Sequence, residues 1–221
     1  AESGHGCLLV VVRDQHAPGG GPPPPSRRAG KWVVFPIPVT RDPVVESTSY
    51  PTQTECAVLY EVTGDILLSR AAAIAHGVSP DDNFHQGLAL SLREQWPALY
   101  QDFRHYCKTQ KAECGSLWTW AGADGRRIVN LFTQDPPRAT GGHPGRATVQ
   151  HVGHALKKLH ALAEKEKLAS LALPRLATGV GGLEWTAVQP LLQQHLGSLP
   201  IPVYVYTRYE KGVAAKEPGV G

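Results

Sequence analysis

From Cys56 to about Arg208 the chain alternates between short apolar runs and longer segments whose apolar residues recur every three or four positions. That alternation is the mark of strand–helix–strand units wound into a largely parallel sheet with helices on its faces. Strands are predicted at Ala57–Val62, Ala71–Ala75, Ser116–Trp120, Ile128–Thr133, Leu168–Leu173 and Val203–Thr207. Several lack polar alternation, as strands covered on both faces do. Between them, Leu88, Leu92, Trp96, Leu99, Phe103 and Cys107 form one helical stripe, with Pro97 starting a second segment within it. Val152, Leu156, Leu159 and Ala163 form the next stripe, and Val188, Leu191, Leu192, His195 and Leu196 the last. The fold class expected is α/β: three layers, α/β/α, around a mixed, mostly parallel sheet, with ligand sites at the carboxyl ends of the strands.

The pattern covers only part of the 221 residues. Residues 1–30 are rich in Gly and Pro, including the run Gly19 to Pro25, and read as a flexible tail. Residues 31–55 hold Trp32 to Val39, whose two prolines forbid a central strand and fit an edge strand or arm. Residues 56–210 carry the domain, and 211–221 read as a second tail. The absence of Met, position 1 included, fits a fragment or processed product.

Composition sets limits on partners. A net charge of +3 is too mild for a surface built as a whole for nucleic acid, so an anion has to be caught locally. No apolar run reaches the roughly 18 residues needed to span a bilayer, so no membrane partner is expected. Cysteines at 7, 56, 107 and 114 show no zinc-ribbon spacing, which fits reduced thiols in a cytoplasmic protein. No cofactor is called for, and a monomer is expected.

Three loops fall where such a sheet holds ligands. Thr63-Gly64-Asp65-Ile66 follows the first strand; Asp65 either accepts from an amino group on a base or caps a short helix, Ile66–Arg70. The second, His76 to Gly87, is long and polar; Asp81, Asp82 and Asn83 either build a turn or hold sugar hydroxyls and water. The third, Pro174 to Trp185, sets three glycines after an apolar strand and before a helix, so that backbone N–H groups converge on a phosphate without a lysine. It lacks the Lys-Ser/Thr of a P-loop.

Together these segments resemble the macrodomain family of ADP-ribose-binding modules. The matching residues are Thr63 to Ile66, Ile74-Ala75-His76-Gly77-Val78-Ser79, Gly87 to Leu90, Ile128 to Thr133, and Pro174 to Trp185, in the family's order from about Cys56 to Arg208. The Ala-His-x-x-Ser loop and the Gly-x-x-x-Leu-x-Trp segment are similar to the branch that contains terminal ADP-ribose protein glycohydrolase and the antitoxins that strip ADP-ribose from DNA. The resemblance implies that Asp65 accepts from the adenine amine and that Ile66 offers its backbone. It also implies that Gly179, Val180 and Gly181, with Gly182 in the same loop, wrap the diphosphate while Thr178 adds a hydroxyl. Ser79 and the loop to Gly87 would line the distal ribose. Tyr206 and Tyr209 are candidates to pack on adenine.

Two departures bear on catalysis. Where that branch carries a lysine after the Leu-x-Thr of the fourth strand, this chain has Gln134; where it often has an acid in the glycine loop, this chain has Gly181. Glutamine forms no Schiff base and is no general base near neutrality. Asp81 or Asp82 is then expected to orient a water, and His85 or His143 to move a proton. The function implied is binding of ADP-ribose with hydrolysis of ADP-ribosyl adducts on protein or nucleic acid, or of ADP-ribose 1″-phosphate; the alternative is a non-catalytic reader of ADP-ribose. His151 and His154 sit one turn apart, but no third ligand is in evident reach, so no metal is expected. Arg126-Arg127, Lys157-Lys158, Lys165 and Lys167 suit either a basic rim for nucleic acid or ordinary exposed faces.

Overall fold

The computed structural model describes residues 59–139 and 142–219. The segments read as tail and arm, 1–55, lie outside them. Six strands and four helices follow one another: β1 (Leu59–Gly64), β2 (Ala73–Val78), α1 (Gly87–Gln95), α2 (Pro97–Thr109), β3 (Leu117–Ala121), β4 (Arg127–Phe132), α3 (Val149–Lys165), β5 (Leu171–Pro174), α4 (Trp185–Leu196) and β6 (Val203–Tyr209). The sheet runs β1-β6-β5-β2-β4-β3, parallel throughout except for β3, which lies antiparallel to β4 at one edge.

Side-chain alternation along the strands sorts the core into two layers. Ala73 and Ala75, Val129 and Leu131, Leu171 and Leu173, and Val203 and Val205 face α3 and α4, meeting Val152, Leu156, Leu159, Val188, Leu192 and Leu196. The intervening Ile74 and Val78, Ile128 and Phe132, Ala172, and Tyr204 and Tyr206 face the opposite way, toward Leu92 of α1 and Leu99 and Phe103 of α2. Both faces are therefore apolar, which is why these strands show no polar alternation. Pro97 opens α2 at its first turn, where its missing N–H costs nothing.

Strand ends differ from the sequence reading where side chains redirect the backbone. β2 begins two residues late, because Ala71 and Ala72 donate their N–H groups to the hydroxyls of Ser69 and Ser170 rather than to a neighbouring strand. β5 begins at Leu171, since Leu168 N–H still closes α3 onto Ala163 O after Lys167 adopts a left-handed φ of 50°. Beyond β6, the stretch read as a tail returns along the β1–β2 connection, from Asp65 to Arg70. Glu217 accepts from Ser69 Oγ, from Arg70 N–H and from the Tyr206 hydroxyl.

Among the described residues no helix is long and apolar enough to cross a membrane. The carboxyl ends of β1, β2, β4, β5 and β6 all lie at one end of the sheet, and their loops meet there.

Candidate functional site

The strand-end loops enclose two hollows of about 370 and 320 Å³, sizes usual for small-molecule sites. The first is walled by Gly64 to Leu67, Ser91 and the Tyr206 and Tyr209 rings. The second is walled by His76, Gly77, Asp82, Gln134, Pro144 and the loop from Ala177 to Gly181. They join along Gly87, Leu88, Pro174, Tyr206 and Tyr209, which line both. One elongated cleft results.

Asp65 caps the turn after β1, one of the two roles the sequence left open, and it also lines the cleft. One carboxylate oxygen accepts from Leu67 N–H at 3.1 Å and caps a single 3-10 turn, Ile66–Leu68, shorter than the expected helix. The other accepts from Gly212 N–H at 3.0 Å, and the residue still walls the first hollow. Gly64 is required beside it: its φ is +154°, and a Cβ there would stand 2.7 Å from Val213 O.

The glycine loop spends its hydrogen bonds selectively. Thr178 N–H and hydroxyl both turn back to Arg175 O, Gly182 N–H reaches Gly179 O, and Leu183 N–H reaches Ala177 O. Among the described residues, the N–H groups of Gly179, Val180 and Gly181 donate to no backbone carbonyl. Three successive donors thus remain for an anion, in the way anion-binding nests work. Across from them stands the amino end of α1, whose first residues wall the second hollow and whose dipole adds partial positive charge. The two sides are close: a Cβ on Gly87 would lie 3.9 Å from Val180 Cγ2. Gly181 is also a steric necessity, because a Cβ there would meet Ala177 O at 2.6 Å and Ala147 Cβ at 2.9 Å. The acid of the related branch has no room at this position without moving the loop.

The catalytic candidates separate. Asp82 is buried, accepts from Phe84 N–H at 2.8 Å and Ser79 N–H at 3.3 Å, and walls the second hollow; burial pushes its carboxyl above the ordinary range. Gln134 is 4% exposed, walls the same hollow, and its Oε1 has no hydrogen-bond partner among the described residues. Asp81, His85 and His143 are exposed and are absent from the cleft wall. Ser79 is fully buried behind Asp82, also off the wall. His143 stays near, since Asn83 Nδ2 donates to Gly142 O at 3.3 Å and ties the β2–α1 loop to the loop after β4.

The sequence gives His76 no role beyond its place in the Ala-His-x-x-Ser loop. It is buried in the cleft wall, register partner of Asn130, with Nε2 2.9 Å from Asn130 Oδ1; the carbonyl acceptor assigns the proton to Nε2. Burial lowers its pKa from 6.5 to about 4, against the smaller upward pull of Asn130. It is neutral at pH 7 and holds the wall rather than moving protons. The unfolded chain protonates this group near 6.5 and the folded one only near 4, so its contribution to stability is complete above 6.5 and is lost as pH falls toward 4. In denaturant unfolding, the stability difference between wild type and His76→Gln is expected to shrink by about 3 kcal/mol across that window. A difference that stays constant would mean the imidazole is not buried in its neutral form.

The arginines read as a possible rim lie elsewhere. Arg126 donates to Ser69 O and Arg127 pairs with Glu166, at the strand end opposite the cleft.

The three-layer sandwich, the capping acid after β1 and the open amide loop after β5 are what the resemblance to macrodomains led one to expect. No family model matches the chain. It is 30% identical over 166 residues to a DNA ADP-ribosyl transferase–DNA ADP-ribosyl glycohydrolase fusion protein of Thermosipho africanus, covering 69% of this chain and 42% of that protein. The macrodomain of Thermus aquaticus DarG superposes with a TM-score of 0.61 at 27% identity, covering 68% of this chain and 99% of that one. Thermosipho africanus DarTG in complex with ADP-ribose gives 0.60 at 24% identity, covering 70% and 42%. The chain thus has the macrodomain fold with DarG-type homologues, and it spans about two fifths of the length of the curated relatives it matches.

Proposed function

We propose that the domain binds ADP-ribose along the cleft and hydrolyses the bond joining its distal ribose to an adduct, with ADP-ribosylated DNA as the first substrate to try. The observation that carries this reading is the run of three uncommitted N–H groups, Gly179 to Gly181, facing the amino end of α1. That arrangement suits a diphosphate, and the hollows on either side suit a nucleoside and a second ribose. The relatives named as DNA ADP-ribosyl glycohydrolases supply the substrate class.

Adenine then lies against Tyr206, with Asp65 accepting from its amine and Ile66 offering its backbone. Thr178 and Gly182 border the diphosphate. The distal ribose faces Asp82 and Gln134, with Gly87 and the loop carrying Ser79 around it. Cleavage passes through an oxocarbenium-like state and needs an aligned water. Asp82 is suited to align it, because its raised pKa brings it closer to a general base poised for neutral pH, while Gln134 Oε1 is a spare acceptor for a ribose hydroxyl. Asp81 is the other candidate to orient the water, and His85 and His143 are candidates for proton movement, all three at the outer rim.

Asp65→Ala removes a cap along with the proposed base contact, so Asp65→Asn is the cleaner variant. It keeps an acceptor for Leu67 N–H but turns a donor toward the amine or toward Gly212. Calorimetry with ADP-ribose is expected to show affinity down at least ten-fold while the melting temperature changes little; unchanged affinity would remove Asp65 from adenine recognition. Asp82→Asn is expected to slow release of ADP-ribose from ADP-ribosylated DNA by about 10²-fold or more, the usual contribution of a general base.

A second reading, a non-catalytic reader, is favoured by Gln134 at the position where the related branch has lysine. Incubation with ADP-ribosylated DNA, ADP-ribosylated protein and ADP-ribose 1″-phosphate divides the two. Release of ADP-ribose or phosphate supports the hydrolase; binding with no release from any of them leaves the reader.

A further inference from the structure

Beside the cleft, three side chains distant in sequence converge. Gly115 N–H donates to Phe132 O at 2.7 Å and draws Cys114 onto the carboxyl end of β4, where its thiol lies 3.5 Å from Gln134 O. Asp135 follows directly. An isolated antiparallel bridge between Gln134 and Ala147 brings the amino end of α3 alongside, and Thr148 caps that end by accepting from His151 N–H. The result is a thiol, a carboxylate oxygen and an imidazole nitrogen within 4.8 Å of one another. His151 Nδ1 is buried with no hydrogen-bond partner among the described residues, yet it faces Asp135 Oδ1 at 3.6 Å. A nitrogen so placed fits a metal ligand better than a satisfied core histidine.

We propose that Cys114, Asp135 and His151 bind a divalent transition-metal ion of the zinc class. Sulfur, nitrogen and oxygen donors in one set suit zinc or cobalt and exclude calcium and magnesium, which take oxygen ligands. In a tetrahedral zinc site, metal–ligand lengths of about 2.0–2.3 Å put ligand atoms roughly 3.3–3.6 Å apart. The Asp135–His151 pair already stands at 3.6 Å, close to that spacing, and the exposed Asp135 carboxylate has room to adjust. Binding displaces the Cys114 thiol proton to solvent and takes the Nδ1 lone pair of His151, with its proton on Nε2; a water fills the fourth position. The ion ties the α2–β3 connection, the end of β4 and the start of α3 together. Gln134, which walls the cleft, sits between two of the elements it joins. The His151–His154 pair considered in the sequence is not the one brought together: His154 packs its Cβ under Gly115, and the other ligands come from Cys114 and Asp135.

The test uses the reduced full chain freed of metal by chelator. Co(II) titration is expected to give one equivalent bound with a near-ultraviolet thiolate charge-transfer band, and Zn(II) is expected to displace it. Cys114→Ser is expected to lose that band. His151→Ala and Asp135→Asn are expected to weaken Zn(II) binding at least ten-fold, and His160→Ala, farther along the same helix, to leave it unchanged. Asp135 is exposed, so its variant reads binding without threatening the fold. No stoichiometric Co(II) binding, a thiolate band that survives Cys114→Ser, or Zn(II) affinity indifferent to Asp135→Asn would each overturn the site. None of these outcomes depends on whether the cleft binds ADP-ribose.

Discussion

Gly179→Glu is expected to abolish ADP-ribose binding while leaving the fold intact. Apart from its chain neighbours, no heavy atom lies within 4 Å of the Cβ this substitution adds, and the backbone there is outside the left-handed region, so the position accepts a Cβ without strain. What it brings is a negative charge beside the three N–H groups proposed to hold a diphosphate. At about 5 Å and an effective dielectric near 20, each like-charge pair costs roughly 3 kcal/mol, or more than a hundred-fold in affinity. Gly179→Gln carries the same bulk without the charge and is expected to lose far less. Calorimetry of the pair, with a thermal melt of each, separates charge from shape. If Glu binds within three-fold of wild type, the diphosphate does not lie at this loop. Gly181 cannot serve the same purpose, because any side chain there collides with Ala177 O and Ala147 and tests loop folding instead.

Phe84→Ala is expected to cost about 3–5 kcal/mol, the range for deleting a fully buried aromatic ring. Phe84 is 0% exposed and wedges between His76, Tyr100 and Phe103, with ring centroids at 5.8, 5.6 and 4.7 Å. Its φ is 50°, and alanine keeps that backbone cost because it retains a Cβ. The measured loss therefore reports packing alone. Because Phe84 N–H also holds Asp82, the floor of the second hollow is expected to loosen, and affinity for ADP-ribose to fall with stability. Denaturant unfolding checks the first effect; a loss below about 1 kcal/mol would mean the β2–α1 loop is not anchored by this ring.

The legibility of the chain follows how local each signal is. The stripes Val152, Leu156, Leu159, Ala163 and Val188, Leu192, Leu196 end up in the core because a helix repeats its facing every three to four residues, wherever in the fold it sits. The three loops were readable for the same reason: glycines, a capping acid and a polar turn act on their own backbone. Strand ends were less so, since β2 and β5 start where Ser69, Ser170 and the close of α3 release the chain, which no residue at the boundary announces.

The site divides along the same line. Asp65, Gly179, Val180 and Gly181 face the cleft from motifs contiguous in sequence. His76 and Gln134 needed the sheet: one is apolar-run filler until register sets it opposite Asn130, the other looks like a lost lysine until burial leaves its Oε1 unsatisfied. Asp81 and Asp82 read alike in the sequence, and only the turn around Phe84 sends one carboxylate inward and leaves the other in solvent.

What the residues alone determined is the layered α/β plan, the order of its elements and the loops that carry ligand chemistry, because periodicity and turn chemistry are properties of neighbours along the chain. What only the tertiary structure decided is which polar groups share a space: the joined hollows, the return of Glu217 to Ser69 and Arg70, and the meeting of Cys114, Asp135 and His151. Those depend on strand order and register, and distances through space between residues tens of positions apart have no period to read.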